Sequence, residues 1–248
     1  MHTPFFHFSV DDIFDSLIEI TDAQLRLFEH PFFDFLHGLH QSYLISIDLY
    51  LFYHRIISSK KQRQLSEIST ALKEEFLAVP WLRLGPHALA YDRPPYAQSP
   101  QEQQQTFDAI YQNIDRLGGN RSRWLRLHYF SEAYELAAYW QNQGVDTLLL
   151  TDKPAIAYRL AEQEKAQLAQ HGVINYQGIN LRRSHERIEN LALLPSLSEV
   201  YTRLDKHIEK HGFLVLFSHE IDLMNPKLQM LTHQCLSHLI QQGLKHFP

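Results

Sequence analysis

Short apolar runs, separated by longer segments with apolar residues at spacings of three and four, constrain the fold of this chain more than any other feature. The short runs are Pro4 to Val10, Tyr43 to Tyr53, Trp81 to Leu84, Arg123 to Phe130, Thr147 to Thr151 and Phe213 to Ser218. They predict strands, because an almost unbroken apolar run suits a strand buried on both faces. The longer segments predict helices: Leu65 to Leu77, Gln101 to Leu117, Ser131 to Gln143, Pro154 to His171, Leu197 to Lys210 and Pro226 to His246. Gly144, Gly172 and Gly212 follow polar helix ends, where a left-handed residue is favoured, and Ser131 and Asp152-Lys153-Pro154 read as helix starts. Strands alternating with helices imply an α/β fold with a parallel sheet, either open and doubly wound or closed into a barrel. The polar stretch from Ala97 to Gln105 reads as a loop entering a helix. Residues 1–248 therefore read as a single domain without linker or repeat.

Composition narrows the class. A chain of 248 residues with 44% hydrophobic content can bury a sizeable core. Its 23 basic and 28 acidic residues give a net charge of -5, with no basic block beyond Lys60-Lys61-Gln62-Arg63, which argues against a nucleic-acid partner. The single cysteine, Cys235, excludes an internal disulfide, and Met1-His2-Thr3-Pro4 is not a basic region leading into an apolar run. A cytoplasmic protein is the expectation. No uncharged stretch approaches the roughly 20 residues that a membrane-spanning helix needs.

Parallel sheets present their chemistry beyond the C-terminal ends of the strands. Read together, those ends carry Asp11 and Asp12 after the first strand, His87 after the third, Arg126 and His128 within the fourth, Asp152 after the fifth and His219 after the last. Adjacent carboxylates there can divide their work, one binding a cation and the other taking a proton from water. They can also simply cap a helix over Ile13 to Ile18, since Asp is a favoured N-cap. His7 shares a strand face with Asp11 and is expected near the pocket floor. The remaining histidines, among them His30, His37, His40, His54, His207, His211, His233, His238 and His246, lie in helical or surface-like patterns and read as packing or solvated groups.

These segments resemble, in order, the motifs of the NodB-homology polysaccharide deacetylases, which include carbohydrate esterase family 4. Val10-Asp11-Asp12 resembles the first motif, whose first aspartate is the general base and whose second binds metal. Leu84-Gly85-Pro86-His87 is similar to the start of the second, which supplies histidine ligands. Arg126-Leu127-His128-Tyr129 resembles an Arg-x-Pro-Tyr motif with His128 in place of proline, and Asp152 falls where a fourth motif keeps an aspartate. Val215-Leu216-Phe217-Ser218-His219 is similar to the last motif, which ends in the histidine that acts as general acid. The resemblance spans Phe6 to Glu220 and implies a distorted, TIM-like (β/α) barrel of about seven strands.

The departures are specific. Ile13 stands where the family usually has glycine, and Tyr91 stands four residues after His87 where a second histidine is usual, with Asp92 next. His128 and Asp92 are the candidates for the missing ligand. His128 is favoured because a strand end holds a side chain more rigidly than the Pro-rich loop around Asp92. The resemblance then implies a hydrolase that removes an acetyl group from an N-acetylated sugar. Asp12, His87 and His128 would bind a divalent metal, with Zn²⁺ favoured by nitrogen-rich ligands. Asp11 would be the base, Arg126 its positioning cation, and His219 the acid held by Asp152. The charged segment from Arg182 to Arg187 would reach toward an anionic sugar substituent or form a solvated turn. A cytoplasmic setting points to a nucleotide-linked, lipid-linked or oligosaccharide substrate. A catalytically degraded barrel that binds a carbohydrate or partner, and a metal-dependent hydrolase of another bond such as a phosphoester, are the alternatives.

Overall fold

The structure, a computed structural model, describes residues 4–58, 61–151 and 159–247. The strands are β1 (Phe5–Ile13), β2 (Ile47–Phe52), β3 (His54–Ser58), β4 (Lys61–Gln64), β5 (Leu82–Ala88), β6 (Asn120–Arg121), β7 (Trp124–Leu125), β8 (Thr147–Leu150), β9 (Val173–Tyr176), β10 (Ile179–Arg183), β11 (Glu186–Arg187), β12 (Phe213–His219) and β13 (Lys245–His246). The helices are α1 (Asp15–Ala23), α2 (Pro31–Tyr43), α3 (Lys73–Leu77), α4 (Pro100–Arg116), α5 (Ala137–Asn142), α6 (Glu162–His171), α7 (Ile188–Leu191), α8 (Leu197–His211) and α9 (Pro226–Gln241).

The long apolar runs become the central strands because both of their faces are covered. Every residue of β2 is buried, as are all of β12 except His219. Parallel ladders join β11, β12, β1, β2, β5 and β6 in that order, and a second set joins β7, β8 and β10, with β9 antiparallel at its edge. Among the described residues the ladders do not close into one ring. Instead the chain crosses between the two sheets at two places, from β6 into β7 and from β10 into β11. Single backbone bonds brace the crossings: Ser122 N–H to the Leu84 carbonyl, Ser184 N–H to that of Leu150 and His185 N–H to that of Val215. The result is a split, distorted barrel whose seven strand positions are β1, β2, β5, β6/β7, β8, β10/β11 and β12.

Helices cover the outside in the expected manner. α4 begins with a capping box, Ser99 with Glu102, and places Phe107, Ile110 and Ile114 in the core at spacings of three and four. Each such side chain contributes roughly 1.5–3 kcal/mol of burial. Gly172 and Gly212 end α6 and α8 with φ of +73°, the conformation glycine adopts without strain.

Several boundaries differ from expectation for local reasons. The segment from Tyr43 begins in a helix, α2, and only Ile47 onward is strand. The helix expected over Leu65 to Leu77 is three short turns, of which α3 alone is α-helical. The expected strand Arg123 to Phe130 pairs only at Trp124–Leu125, because Tyr129, Phe130 and Ala133 have φ of +52°, +55° and +39° and turn the chain out of the sheet. Ser131 starts no helix: its hydroxyl donates to the His128 carbonyl, and α5 begins at Ala137. The last helix ends at Gln241 and returns as β13 beside β1. Asp152 and the start expected at Asp152-Lys153-Pro154 lie outside the described residues.

Neither Asp11 nor Asp12 caps α1. That task falls to Glu220, just past β12, whose carboxylate accepts from the N–H groups of Phe14 (3.0 Å), Asp15 (3.0 Å) and Ser16 (2.8 Å). Glu220 is only 4% exposed, so these donors would find no water if it were removed. Glu220→Ala is expected to cost about 2–4 kcal/mol, the sum of a lost cap and stranded buried donors. Urea unfolding with an unchanged midpoint for this variant would show that the cap carries no weight.

Candidate functional site

A β-bulge decides how β1 delivers two neighbouring acids to one place. The register with β2 slips between Val10 and Ile13, and Asp12 has φ of +64°, a strained value for a residue with a side chain. Regular alternation would send Asp11 and Asp12 to opposite faces. The bulge turns both into the same cleft. That cleft, of about 330 Å³, lies over the C-terminal ends of the strands and is lined by Asp11, Asp12, His87, Arg126, His128 and His219, with Arg187 and Asp222 beside them.

Two imidazoles meet Asp12 there. His87 Nε2 lies 3.1 Å and His128 Nδ1 3.5 Å from Asp12 Oδ1, and the two nitrogens are 3.1 Å apart. Their far nitrogens are committed. His87 Nδ1 donates to the Arg126 carbonyl at 2.7 Å, and His128 Nε2 donates to the Tyr91 carbonyl at 3.0 Å. A neutral imidazole has one N–H, so the nitrogens that face each other both present lone pairs. Asp12 Oδ1 is buried and accepts no hydrogen bond from any described residue. Three lone-pair donors thus converge with no proton between them, an arrangement that a divalent cation satisfies and a hydrogen-bond network does not. Burial, helped by His87, keeps His128 at about 4 and hence neutral, the form that ligates.

Asp11 sits on one side of this donor set. Arg126 Nη1 donates to Asp11 Oδ1 at 2.8 Å and to Ser9 Oγ at 2.9 Å, while its Nε donates to Ser184 Oγ at 3.1 Å. Both charges are almost fully buried, so each needs the other. His219 pairs in register with Asp11 across the β1–β12 ladder. Its Nδ1 faces Glu189 Oε1 at 3.2 Å, and that same oxygen accepts from the His219 N–H and from the Ser218 hydroxyl. Burial favours the neutral ring, but Glu189, Asp11 and Asp12 together raise the His219 pKa above its ordinary 6.5.

Comparison with known proteins agrees with this geometry at the level of fold. No family model matches the sequence, and no curated protein does. Among solved structures, the chain superposes on a family 4 carbohydrate esterase from Streptomyces lividans in complex with acetate, with a TM-score of 0.50 and 10% identity, covering 100% of this chain and 94% of that one. It also superposes on a mutant of a CE4 family pseudoenzyme, with a TM-score of 0.53 and 10% identity over 99% of this chain and 65% of that chain. The chain has the polysaccharide deacetylase fold. A 4-α-glucanotransferase from Thermococcus litoralis gives a TM-score of 0.57 at 12% identity, but this chain, 98% covered, spans only 36% of that enzyme's length. A polysaccharide deacetylase fold does not by itself assign chemistry.

On this deacetylase scaffold the structure brings together Asp11, Asp12, His87, Arg126, His128 and His219. His128 arrives differently from expectation. It follows β7 in a left-handed turn, and its rigidity comes from the Tyr91 carbonyl and from Ser131, not from a strand. Asp92, the other ligand candidate, is exposed to solvent. His7 lies deeper in the barrel, 3.3 Å from Asp48, and does not line the cleft. In the segment from Arg182 to Arg187 only Arg187 lines it. Arg182 stacks over Phe213 inside the barrel, and Glu186 is buried against Arg203 and His207.

Glu189 holds His219 Nδ1; Asp152, expected in that role, lies outside the described residues. Glu189 follows a two-residue strand, too short to show a period, in a segment whose density of charge was the only signal. A second histidine cluster, His185, His207 and His211, also brings its nitrogens close together. There, however, His185 Nδ1 accepts the Val215 N–H, so its Nε2 carries the proton and donates to His211 Nδ1 at 3.0 Å. That is a hydrogen-bond chain, whereas Asp12, His87 and His128 are a group that could hold a metal ion. Calorimetric titration with Zn²⁺ should therefore lose affinity in His128→Ala by more than the roughly 10–100-fold typical of a missing supporting residue. Asp92→Ala and His211→Ala should titrate like the wild type. Equal affinity in His128→Ala would remove it from the site.

Proposed function

We propose that this chain is a metal-dependent hydrolase that removes an acetyl group from an N-acetylated sugar, with Zn²⁺ as the ion and the cytoplasm as the place of action. The observation that carries the proposal is the placement of a base held by a cation and an acid held by a carboxylate around one set of lone-pair donors. Zn²⁺ suits two imidazoles and one carboxylate, which leave room for further ligands. When bound, such an ion would polarise the amide carbonyl and offset the negative charge that develops on its oxygen.

The chain's own residues supply the rest. Asp11 takes a proton from the attacking water. Arg126 fixes the carboxylate through Oδ1 and leaves Oδ2 for the proton. His219 gives its proton to the leaving amine. Because Glu189 holds Nδ1, the opposite ring nitrogen, Nε2, is the one presented to the substrate. The raised pKa of His219 keeps that proton available near neutrality. Arg187 and Asp222 at the cleft wall provide polar contacts for sugar hydroxyls. The buried state of the single cysteine, Cys235, is compatible with a reducing compartment.

The test is acetate release from N-acetylglucosamine, its oligomers and its nucleotide-linked forms, with and without a chelator. Asp11→Asn should keep the metal and lose about 10²–10⁴ in rate. Turnover of phosphoesters but not amides, or saturable sugar binding without acetate release, would overturn the proposal in favour of another hydrolase or of a binding protein. The pH profile makes a separate prediction. His219 works protonated, so activity should fall as pH rises through a pKa above 6.5. Glu189→Gln removes one of the contributions that raise it, and the alkaline limb should move to lower pH. An alkaline limb that stays in place would separate Glu189 from the acid.

A further inference from the structure

A second hollow, of about 400 Å³, adjoins the cleft and is larger than it. The two share Asp12, Tyr91 and Ile221, so Asp12 stands at their junction. The hollow runs outward from Asp12 over the end of β2 and toward the β3–β4 hairpin. Its walls are Phe52, Ile56, Ala90, Tyr91 and Ile221. The charged groups in its lining are engaged elsewhere or solvated. Arg55 pairs with Asp15, Glu220 caps α1, and Asp92 is exposed. What remains is apolar, and Ile56, Tyr91 and Ile221 are 57%, 62% and 70% exposed. Large apolar side chains left open to water beside a polar site mark a surface built to be covered.

The direction of the hollow says by what. In the proposed reaction the amide nitrogen must face His219 in the polar cleft, and the carbonyl oxygen must face the donors around Asp12. The third substituent of the carbonyl carbon, the acyl chain, then points away from His219 and past Asp12. That path leads into the apolar hollow, of which a methyl group would fill little. We propose that the preferred substrate is an N-acyl sugar whose acyl chain is several carbons long and lies in the hollow between Phe52, Ile56, Ala90 and Ile221. This inference rests on the deacetylase reading of the adjoining cleft and extends it from an acetyl to a longer acyl group.

The experiment uses N-acetyl-, N-butanoyl-, N-hexanoyl- and N-octanoylglucosamine, together with the octyl glycoside of N-acetylglucosamine, on the Zn²⁺-loaded protein. Each compound is also titrated calorimetrically into protein without added metal. Burial of a methylene is worth about fourfold in affinity when complete and less in an open hollow, so kcat/KM should rise about two- to fourfold per methylene. Ile56→Asp should cut the octanoyl-to-acetyl ratio at least tenfold. The octyl glycoside should gain nothing, since its alkyl group leaves from the sugar side. Turnover of the acetyl compound with flat or falling rates along the series would overturn the inference while leaving the deacetylase reading intact, as would a gain confined to the glycoside. If no compound is hydrolysed, the deacetylase reading fails, and the titrations still decide: affinity that climbs with acyl length supports an acyl-binding hollow, and constant affinity overturns it.

Discussion

The buried guanidinium of Arg126 is the interaction on which the site depends. Its side chain binds Asp11, Ser9 and Ser184 and stacks 3.8 Å over the Phe217 ring, while its carbonyl fixes the tautomer of His87. One residue thus positions Asp11, the proposed base, through its side chain and His87, a proposed ligand, through its backbone. The contacts reach β1, β5 and β12 of one sheet and the crossing between β10 and β11, while Arg126 itself follows β7 of the other sheet. A charge this deeply buried is costly unless it is paired and hydrogen-bonded. Its partners are therefore not free to drift, and the geometry of Asp11 is tied to the integrity of the barrel.

Polar groups continue below the site. Arg83 makes a two-pronged contact with Asp48 at 2.7 and 2.9 Å, His7 approaches Asp48, and the Tyr50 hydroxyl donates to the Trp124 carbonyl. These side chains come from different strands and meet inside the barrel, where a sheet packed only against helices would have placed apolar groups. The interior carries a column of charge beneath the cleft instead of a dry plug. Above it, the left-handed Asp12 stores strain that the surrounding ladder and the Glu220 cap hold in place. Strain concentrated at the one position where two acids must share a cleft is a cost that the fold bears for the arrangement of the site.

How much of this was legible depended on what kind of information each feature uses. The central strands were visible because burial on both faces imposes apolar runs, and α4 and α8 because an amphipathic face imposes a period. The hairpins β3–β4 and β9–β10, and the two-residue strands β6 and β11, carry no such pattern, whereas β7 falls within the apolar run from Arg123 to Phe130. α2, rich in aromatic residues, is not among the segments that the spacing marks as helical. His128 stands out by its place beside Arg126, yet a left-handed turn and the Tyr91 carbonyl hold it, not a strand end.

By itself the sequence determined the α/β alternation, the order of the strand ends and the residue types that stand there, because these follow from local hydrophobicity and residue identity. Only the tertiary structure decided that Glu220 and not an aspartate caps α1, that Glu189 holds His219, that a bulge sends Asp11 and Asp12 to one side, and that an apolar hollow opens beside them. Each of these joins residues separated by long stretches of chain or depends on a single slip in register. Such relations are set by how strands close around a common interior, and no pattern along the chain records them.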